Sequence, residues 1–592
     1  MNTKLLLFAG VLTAAITSYT AMATEKAPAT ARQPNVILLM VDDLGFGEVG
    51  FNGNKTIKTP NLDRFAAEST QMTNFYVSPM CTPTRSALMT GRHHYRTGAH
   101  DTWLGRSSMK PQETTIAEVF SAGGYITGIF GKWHLGENYP MRAADQGFEK
   151  VVVHGGGGLG QPADHPANRK PRYYNTTLLF NDSFKKTKGY CTDVFIDESI
   201  KFITENKDKP FFCYIPLNIP HSPFNEIDKE YTDLYKDLKG MTKGIYGMMT
   251  QFDGAFQRLL DSVDKLGLKE NTIVIFMSDN GPNSTYFTAG LRAKKGSVYE
   301  NGFRSPFAIR WPEGMPEIRK IKDPVMHIDL LPTLAAACGV EVPDKLNLDG
   351  KNVLPLLTGD IEKLPERYLF MQAHRGNVPD KYRSFMVRKG PYKVVQSRGS
   401  SSEQWPQEPK FELYNIETDP GENHDIAAKH PEIVKEFVGE YEKFYEDVSV
   451  ELQGNMGLPY PYELNPIQKQ DYRFTKQCWW GPGETAVFSR KLDGYGIWTV
   501  RNPGIVKRFD VTIIPQDWIR RKSPDVKSRI NHATVKFSFG GKTIEKKYDK
   551  VPAKVVLENI ELPRGRGIME AQLIDKDGNR WGVGEVQIKL RK

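Results

Sequence analysis

Cysteine is scarce in this chain of 592 residues, and its placement excludes more than it supports. The five present, Cys81, Cys191, Cys213, Cys338 and Cys478, are widely scattered and odd in number, so they form no disulfide framework and leave at least one thiol unpaired. Cys81 is the natural candidate for that thiol. No Cys-x-x-Cys pair occurs, and a structural zinc site is therefore not expected. Also missing is any run near the roughly 20 apolar residues that cross a bilayer, so no transmembrane segment is expected. The early apolar run from Leu5 to about Ile16 is too short for that. It follows Lys4 and precedes Ala21-Met22-Ala23, the pattern of a secretory signal peptide over residues 1–23. An exported protein, periplasmic or secreted, is expected. No cysteine stands at the cleavage position to carry a lipid anchor. The glycine run Gly155–Gly158 lacks the Lys-Ser/Thr of a P-loop and any Gly-x-Gly-x-x-Gly context, so it reads as a flexible loop near a site. Internal repeats and low-complexity blocks are absent too, and no nucleic-acid partner is expected.

What the chain does have is enough apolar sequence, 39% of residues, to bury a sizeable core in two or more domains. Asn35–Val41 is a continuous apolar run, the mark of a strand buried on both faces of a parallel sheet, and it ends in Asp42-Asp43. A second run, Thr272–Met277, ends in Ser278-Asp279-Asn280-Gly281. Ligands of open α/β sheets bind at the carboxyl ends of the strands, and these acidic ends meet if the two strands are neighbours. Asp42, Asp43, Asp279 and Asn280 then offer four hard oxygen donors, suited to Ca²⁺ or Mg²⁺. The competing reading is that each cluster merely begins a turn.

Cys81-Thr-Pro-Thr-Arg85, followed by Gly91-Arg92, carries helix start and stop signals that put Cys81 at a helix N-terminus. An anion is favoured there, and Arg85 adds a guanidinium one turn on. Gly124–Phe130 reads as a strand running into Gly131-Lys132-Trp133-His134, with Lys132 and His134 on one face and Trp133 on the other. A cation beside a titratable imidazole could hold an anion and move a proton; a structural lysine and a surface histidine are the plain alternative. The strand Phe211–Pro216 leads to His221 in the same way, and Lys295 and Arg304 follow the Asp279 strand. His154, His374 and Arg375 stand in loops placed to contact substrate.

Beyond residue 365 the texture changes. Residues 366–450 read as a smaller α+β unit with a helix from about Pro431 to Tyr445, residues 451–472 as a Pro-, Gly- and Asn-rich linker, and residues 473–592 as a β-rich module. Residues 501–592 hold 21 Lys and Arg against 11 Asp and Glu, an excess that exceeds the +9 of the whole chain. Such a surface fits either an anionic polymer or simple solvation. Trp479 and Trp480 admit two uses, stacking on sugars or packing between domains.

Taken together, Cys81-Thr-Pro-Thr-Arg85 with Gly91-Arg92, Gly131-Lys-Trp-His-Leu-Gly136, Asp42-Asp43, Asp279-Asn280-Gly281 and Lys295 resemble, in order, the type I formylglycine-dependent sulfatases of the alkaline phosphatase superfamily. The resemblance spans roughly residues 35–450, and the family's Glu-Gly-Gly-x-Arg stands here as Glu300-Asn301-Gly302-Phe303-Arg304. It implies a mixed, largely parallel α/β sheet sandwiched by helices over residues 35–365, with a smaller α+β subdomain; the all-β module lies outside it. It implies too that Cys81 is oxidised to Cα-formylglycine by a separate maturation enzyme. Asp42, Asp43, Asp279 and Asn280, with residue 81, would then hold Ca²⁺ or Mg²⁺. Arg85, Lys132 and Lys295 would steady anionic oxygens, His134 would take a proton, and His221 would give one to the leaving alcohol. A sulfated carbohydrate is the expected substrate. The alternatives are a phosphoesterase or phosphonate hydrolase on the same fold, and a catalytically silent carbohydrate-binding protein.

Overall fold

The computed structural model describes residues 32–102, 105–373, 379–399, 407–453, 459–480, 496–515 and 532–591. The expected leader, residues 1–23, lies outside the described residues, as do His374 and Arg375.

Asn35–Val41 is central to a ten-stranded sheet. Its side chains alternate between two cores: Val36, Leu38 and Met40 join one, Ile37, Leu39 and Val41 the other. Both faces are thereby buried, which is why the run is apolar throughout. Helices Cys81–Thr90, Ile116–Ala122 and Leu330–Ala337 cover the first face, and Pro60–Ala67, Cys191–Glu205 and Gly240–Lys265 the second. Thr272–Ser278 and Phe211–Pro216 flank the central strand, both parallel to it. Ile126–Lys132 and Lys150–His154 continue the parallel set, while Phe307–Arg310 and the hairpin Thr177–Phe180/Ser183–Lys186 run antiparallel toward the edges. The sheet is mixed and largely parallel. Val41 lies opposite Ser278, so Asp42 and Asp279 leave adjacent strands side by side.

The subdomain is a four-stranded antiparallel sheet, Leu369–Gln372, Phe385–Lys389, Tyr392–Gln396 and Glu412–Asn415, backed by the helix Pro431–Gln453. That helix runs two turns past the Tyr445 expected from sequence, because Tyr441, Tyr445 and Val448 continue its buried stripe. Lys393 fastens the subdomain to the larger domain: fully buried, it lies 3.0 Å from Glu300, in the short helix Glu300–Phe303, and 2.8 Å from Glu422. Where the family pattern has its first glycine, Asn301 is accommodated by donating its side-chain amide to the Ala293 carbonyl at 2.8 Å.

Two facing sheets form the C-terminal module. One contains Ile497–Asn502, Gly565–Asp575 and Ala533–Phe539, the other Tyr472–Thr475, Glu585–Leu590 and Arg508–Ile514. The segment read as a linker is partly inside it, since Tyr462–Glu463 pairs with Val500–Arg501. Trp479 is buried against Trp498 in the core of the module, which uses it for packing. Met141, from the loop after His134, enters that same core.

Candidate active site

Cys81 opens a helix that ends at Thr90, with Gly91 in the left-handed conformation as its cap. Every residue of the helix is buried, so the N-terminal turn faces protein rather than bulk water. Three ligand atoms, from Asp42, Cys81 and Asp279, lie within 4.8 Å of one another. Asp42 and Asp43 follow the central strand, Asp279 and Asn280 its neighbour. Asp43 stands at φ 73°, in the left-handed region, and its backbone N–H donates to Asp279 Oδ1 at 3.1 Å.

Each carboxylate meets a cation. Asp42 Oδ2 lies 2.7 Å from Lys132 Nζ. Asp279 Oδ2 accepts from Arg85 Nε at 3.1 Å and Nη2 at 2.7 Å. Asp43 Oδ1 takes Lys295 Nζ, along with the Asn280 amide at 2.8 Å, while its Oδ2 takes the Asn283 amide at 2.6 Å. Two buried oxygens are left over, Asp42 Oδ1 and Asn280 Oδ1, neither with a hydrogen-bond partner. Orphaned acceptors in a fully buried cluster are costly. All-oxygen donors beside residue 81 suit a hard divalent cation, and these two would be satisfied by one. Three carboxylates against Arg85, Lys132 and Lys295 balance in charge, so an added divalent ion would leave a positive surplus matched to an anion.

Burial dominates the electrostatics. It raises Asp42 above the ordinary carboxyl range against the pull of Lys132, and with Asp42 nearby it carries Asp279 to about 6. At Asp43 burial acts the same way, but Lys295, His221 and Lys132 outweigh it and hold the carboxyl low. His134 is held well below its usual value by burial, then by Lys132 and Arg85. Burial also takes His221 to about 4, opposed by Asp43, and His154 to about 3.

Both candidate proton carriers face the cluster. His134, at φ 59°, places Nδ1 3.0 Å from Thr82 Oγ1 and 3.5 Å from Cys81 Sγ, with Nε2 3.1 Å from the Thr102 carbonyl. His221 Nε2 lies 3.9 Å from Asp43 Oδ2, and its ring keeps 14% of its surface exposed. His154 ends the strand beside Lys132, in register with it, and its buried Nε2 has no partner. Arg304 turns away, donating to the Thr73 carbonyl and lying over Phe46.

Gly155–Gly158 covers the two histidines. A Cβ on Gly157 would lie 2.7 Å from His134 Cε1, and one on Gly158 3.2 Å from His221 Cε1. The run is therefore a close approach of backbone to imidazole. It is anchored by Asp164, which accepts from Gly155 N at 3.2 Å, and by Glu137, which accepts from Gly156 N at 2.8 Å and is pushed by burial to about 7.

Sequence reasoning missed Thr82, Asn283 and Glu137. Thr82 and Asn283 sit next to motif residues, where a local search could have found them; for Glu137 no motif gives a signal.

Comparison with known proteins agrees with this geometry. The Sulfatase family profile matches residues 34–340, and that of the N-sulphoglucosamine sulphohydrolase C-terminal region matches residues 292–446. Arylsulfatase A of Homo sapiens is 33% identical over 467 residues, covering 69% of this chain and 87% of that protein. N-acetylgalactosamine-6-sulfatase of Canis lupus familiaris is 30% identical over 367 residues, 57% of this chain and 68% of its own. Among solved structures, Ps i-CgsB superposes with a TM-score of 0.61 at 31% identity, covering 71% of this chain and 93% of that one, and it has also been solved with k-i-k-neocarrahexaose. With a motif set in sulfatase order, a family profile over more than half its length and a relative of this identity, the chain belongs to the sulfatase family.

Proposed function

We propose that this chain is an exported sulfatase that removes sulfate from a sulfated carbohydrate, using a formylglycine made from Cys81 and a divalent cation. The observation that carries the reading is the buried cluster of Asp42, Cys81 and Asp279 with its two orphaned oxygens, ringed by Arg85, Lys132 and Lys295. Support for a carbohydrate comes from Ps i-CgsB, 31% identical, whose complex holds a neocarrahexaose.

Asp42, Asp43, Asp279, Asn280 and residue 81 would hold Ca²⁺ or Mg²⁺, which lowers the pKa of a hydroxyl bound to it. Residue 81, once matured by a formylglycine-generating enzyme and hydrated, would supply one hydroxyl to attack sulfur and a second whose deprotonation would expel sulfate. Arg85, Lys132 and Lys295, within a water-poor site, stabilise the negative oxygens as the S–O bond to the alcohol breaks. Thr102 offers only a carbonyl to His134 Nε2, so Nε2 carries the hydrogen and Nδ1 presents a lone pair toward residue 81. That nitrogen is the base. His221, partly open to solvent on the far side of Asp43, is placed to protonate the departing alkoxide. His154 would contact the substrate; His374 and Arg375 are proposed for the same task.

Mass spectrometry of the peptide containing residue 81, with sulfate release from a panel of sulfated oligosaccharides, tests the reading. The aldehyde or its hydrate is expected, and Cys81→Ala should release no sulfate. Unmodified thiol alongside a second sulfatase matured in the same cells would overturn it.

A further inference from the structure

The family profiles end at residue 446, yet a side chain from the β module reaches the candidate base. Gln477 sits in the short helical turn Lys476–Cys478 that follows the strand Tyr472–Thr475. Its side-chain amide nitrogen lies 2.8 Å from the Thr102 carbonyl, 2.9 Å from Ser107 Oγ and 3.2 Å from His134 Nε2. In this orientation the amide nitrogen, not the oxygen, meets the Thr102 carbonyl oxygen. Its main-chain carbonyl accepts from Gly105 N at 2.7 Å. One residue of the module thus bonds to the loop containing Thr102, Gly105 and Ser107 at all three positions. Gly105 is shaped to this contact: it has φ 73°, and a Cβ there would lie 2.7 Å from Pro459 Cγ and 3.1 Å from the Trp479 carbonyl.

We infer that the β module is a working part of the active site, with Gln477 as the positioning residue that fixes His134. The inference rests on the proposed role of His134. Gln477 holds the Thr102 carbonyl, which accepts from His134 Nε2–H and so keeps the Nδ1 lone pair aimed at residue 81. Without the amide, the carbonyl loses a donor and the imidazole loses one wall of its seat. Groups that orient a functional imidazole matter nearly as much as the imidazole itself.

Gln477→Met in the full chain tests this, since the thioether fills a similar volume and cannot donate. On a small aryl sulfate, kcat should fall roughly tenfold with KM within about twofold, while conversion of residue 81 is unchanged. A crystal structure of the variant should show the His134 ring displaced from Thr82. Tyr462→Phe is the control: it removes the 2.6 Å bond to Ser108 Oγ across the same interface and should lower the unfolding midpoint without lowering kcat. Native kcat in Gln477→Met, or an equal loss in Tyr462→Phe, would overturn the positioning role. Should the native protein release no sulfate, the functional reading falls, and the ring position in Gln477→Met still decides: an unmoved His134 refutes the inference.

Discussion

Adding one methyl group at Gly157 should separate the close approach of its loop from mere flexibility. In Gly157→Ala the new Cβ would lie 2.7 Å from His134 Cε1 and 2.8 Å from Nε2, about 1 Å inside an ordinary carbon contact. The imidazole can withdraw only by leaving its contacts with Thr82 and Cys81 at Nδ1 and with Thr102 and Gln477 at Nε2. Ring and loop share the overlap, the ring pushed off this seat and the loop straining the bonds from Gly155 N to Asp164 and from Gly156 N to Glu137, each worth about 1 kcal/mol. A stability loss of about 1–3 kcal/mol follows, the usual range for overpacking. Displacement of a catalytic group by about 1 Å costs roughly a hundredfold in rate, so kcat on 4-nitrophenyl sulfate should fall by about that factor. Gly254→Ala is the matched control: it lies exposed in the helix Gly240–Lys265, its Cβ would meet nothing within 4 Å, and it should stabilise by roughly 0.5–1 kcal/mol with kcat unchanged. Gly157→Ala with kcat within twofold of the native value would refute the reasoning.

Stripping divalent ions with EDTA should lower both sulfate release and the thermal midpoint, and Ca²⁺ or Mg²⁺ should restore both; resistance of both properties to chelation would speak against the oxygen cluster as an ion site. Lys393→Met should destabilise by about 3–5 kcal/mol in denaturant titration, because Glu300 and Glu422 stay buried without their shared cation. Glu137 yields a pH prediction. In the unfolded chain its carboxyl ionises near 4.5, while in the fold burial keeps the proton until about 7. The raised value therefore contributes stability below about pH 4.5 that is lost as pH rises toward 7. Glu137→Gln should flatten this fall by about 3 kcal/mol in melts from pH 4.5 to 7.5, and parallel curves for the two proteins would count against the buried acid.

The central sheet was legible because its signal is local. The interior of a strand buried on both faces must be apolar, and Val36–Val41 and Ile273–Met277 are. The acids that end them could be paired in advance because neighbouring parallel strands bring like ends together. The Cys81 helix was readable from its proline and its Gly91 cap. Other features depend on distant partners. Helix Pro431–Gln453 continues past Tyr445 only because tertiary contacts extend its stripe, and the supposed linker contributes a strand whose partner lies nearly 40 residues on. Gln477 meets His134 across 343 residues, with no motif to mark an amide that works by touching a loop carbonyl. Paired tryptophans left two uses open from sequence, and only burial against Trp498 shows the packing of Trp479.

The strand that delivers Gln477 has a consequence for the order in which the enzyme is made. Tyr472–Thr475 pairs with Glu585–Leu590, and Arg473 is clasped by Glu585 at 2.8 Å. A ribosome that has released every proposed proton carrier and ion ligand has therefore still not released the strand that seats Gln477. Activity should appear late in biosynthesis, after residue 590 has emerged, and a nascent chain stopped before Glu585 should carry a finished sheet and an unfinished catalyst.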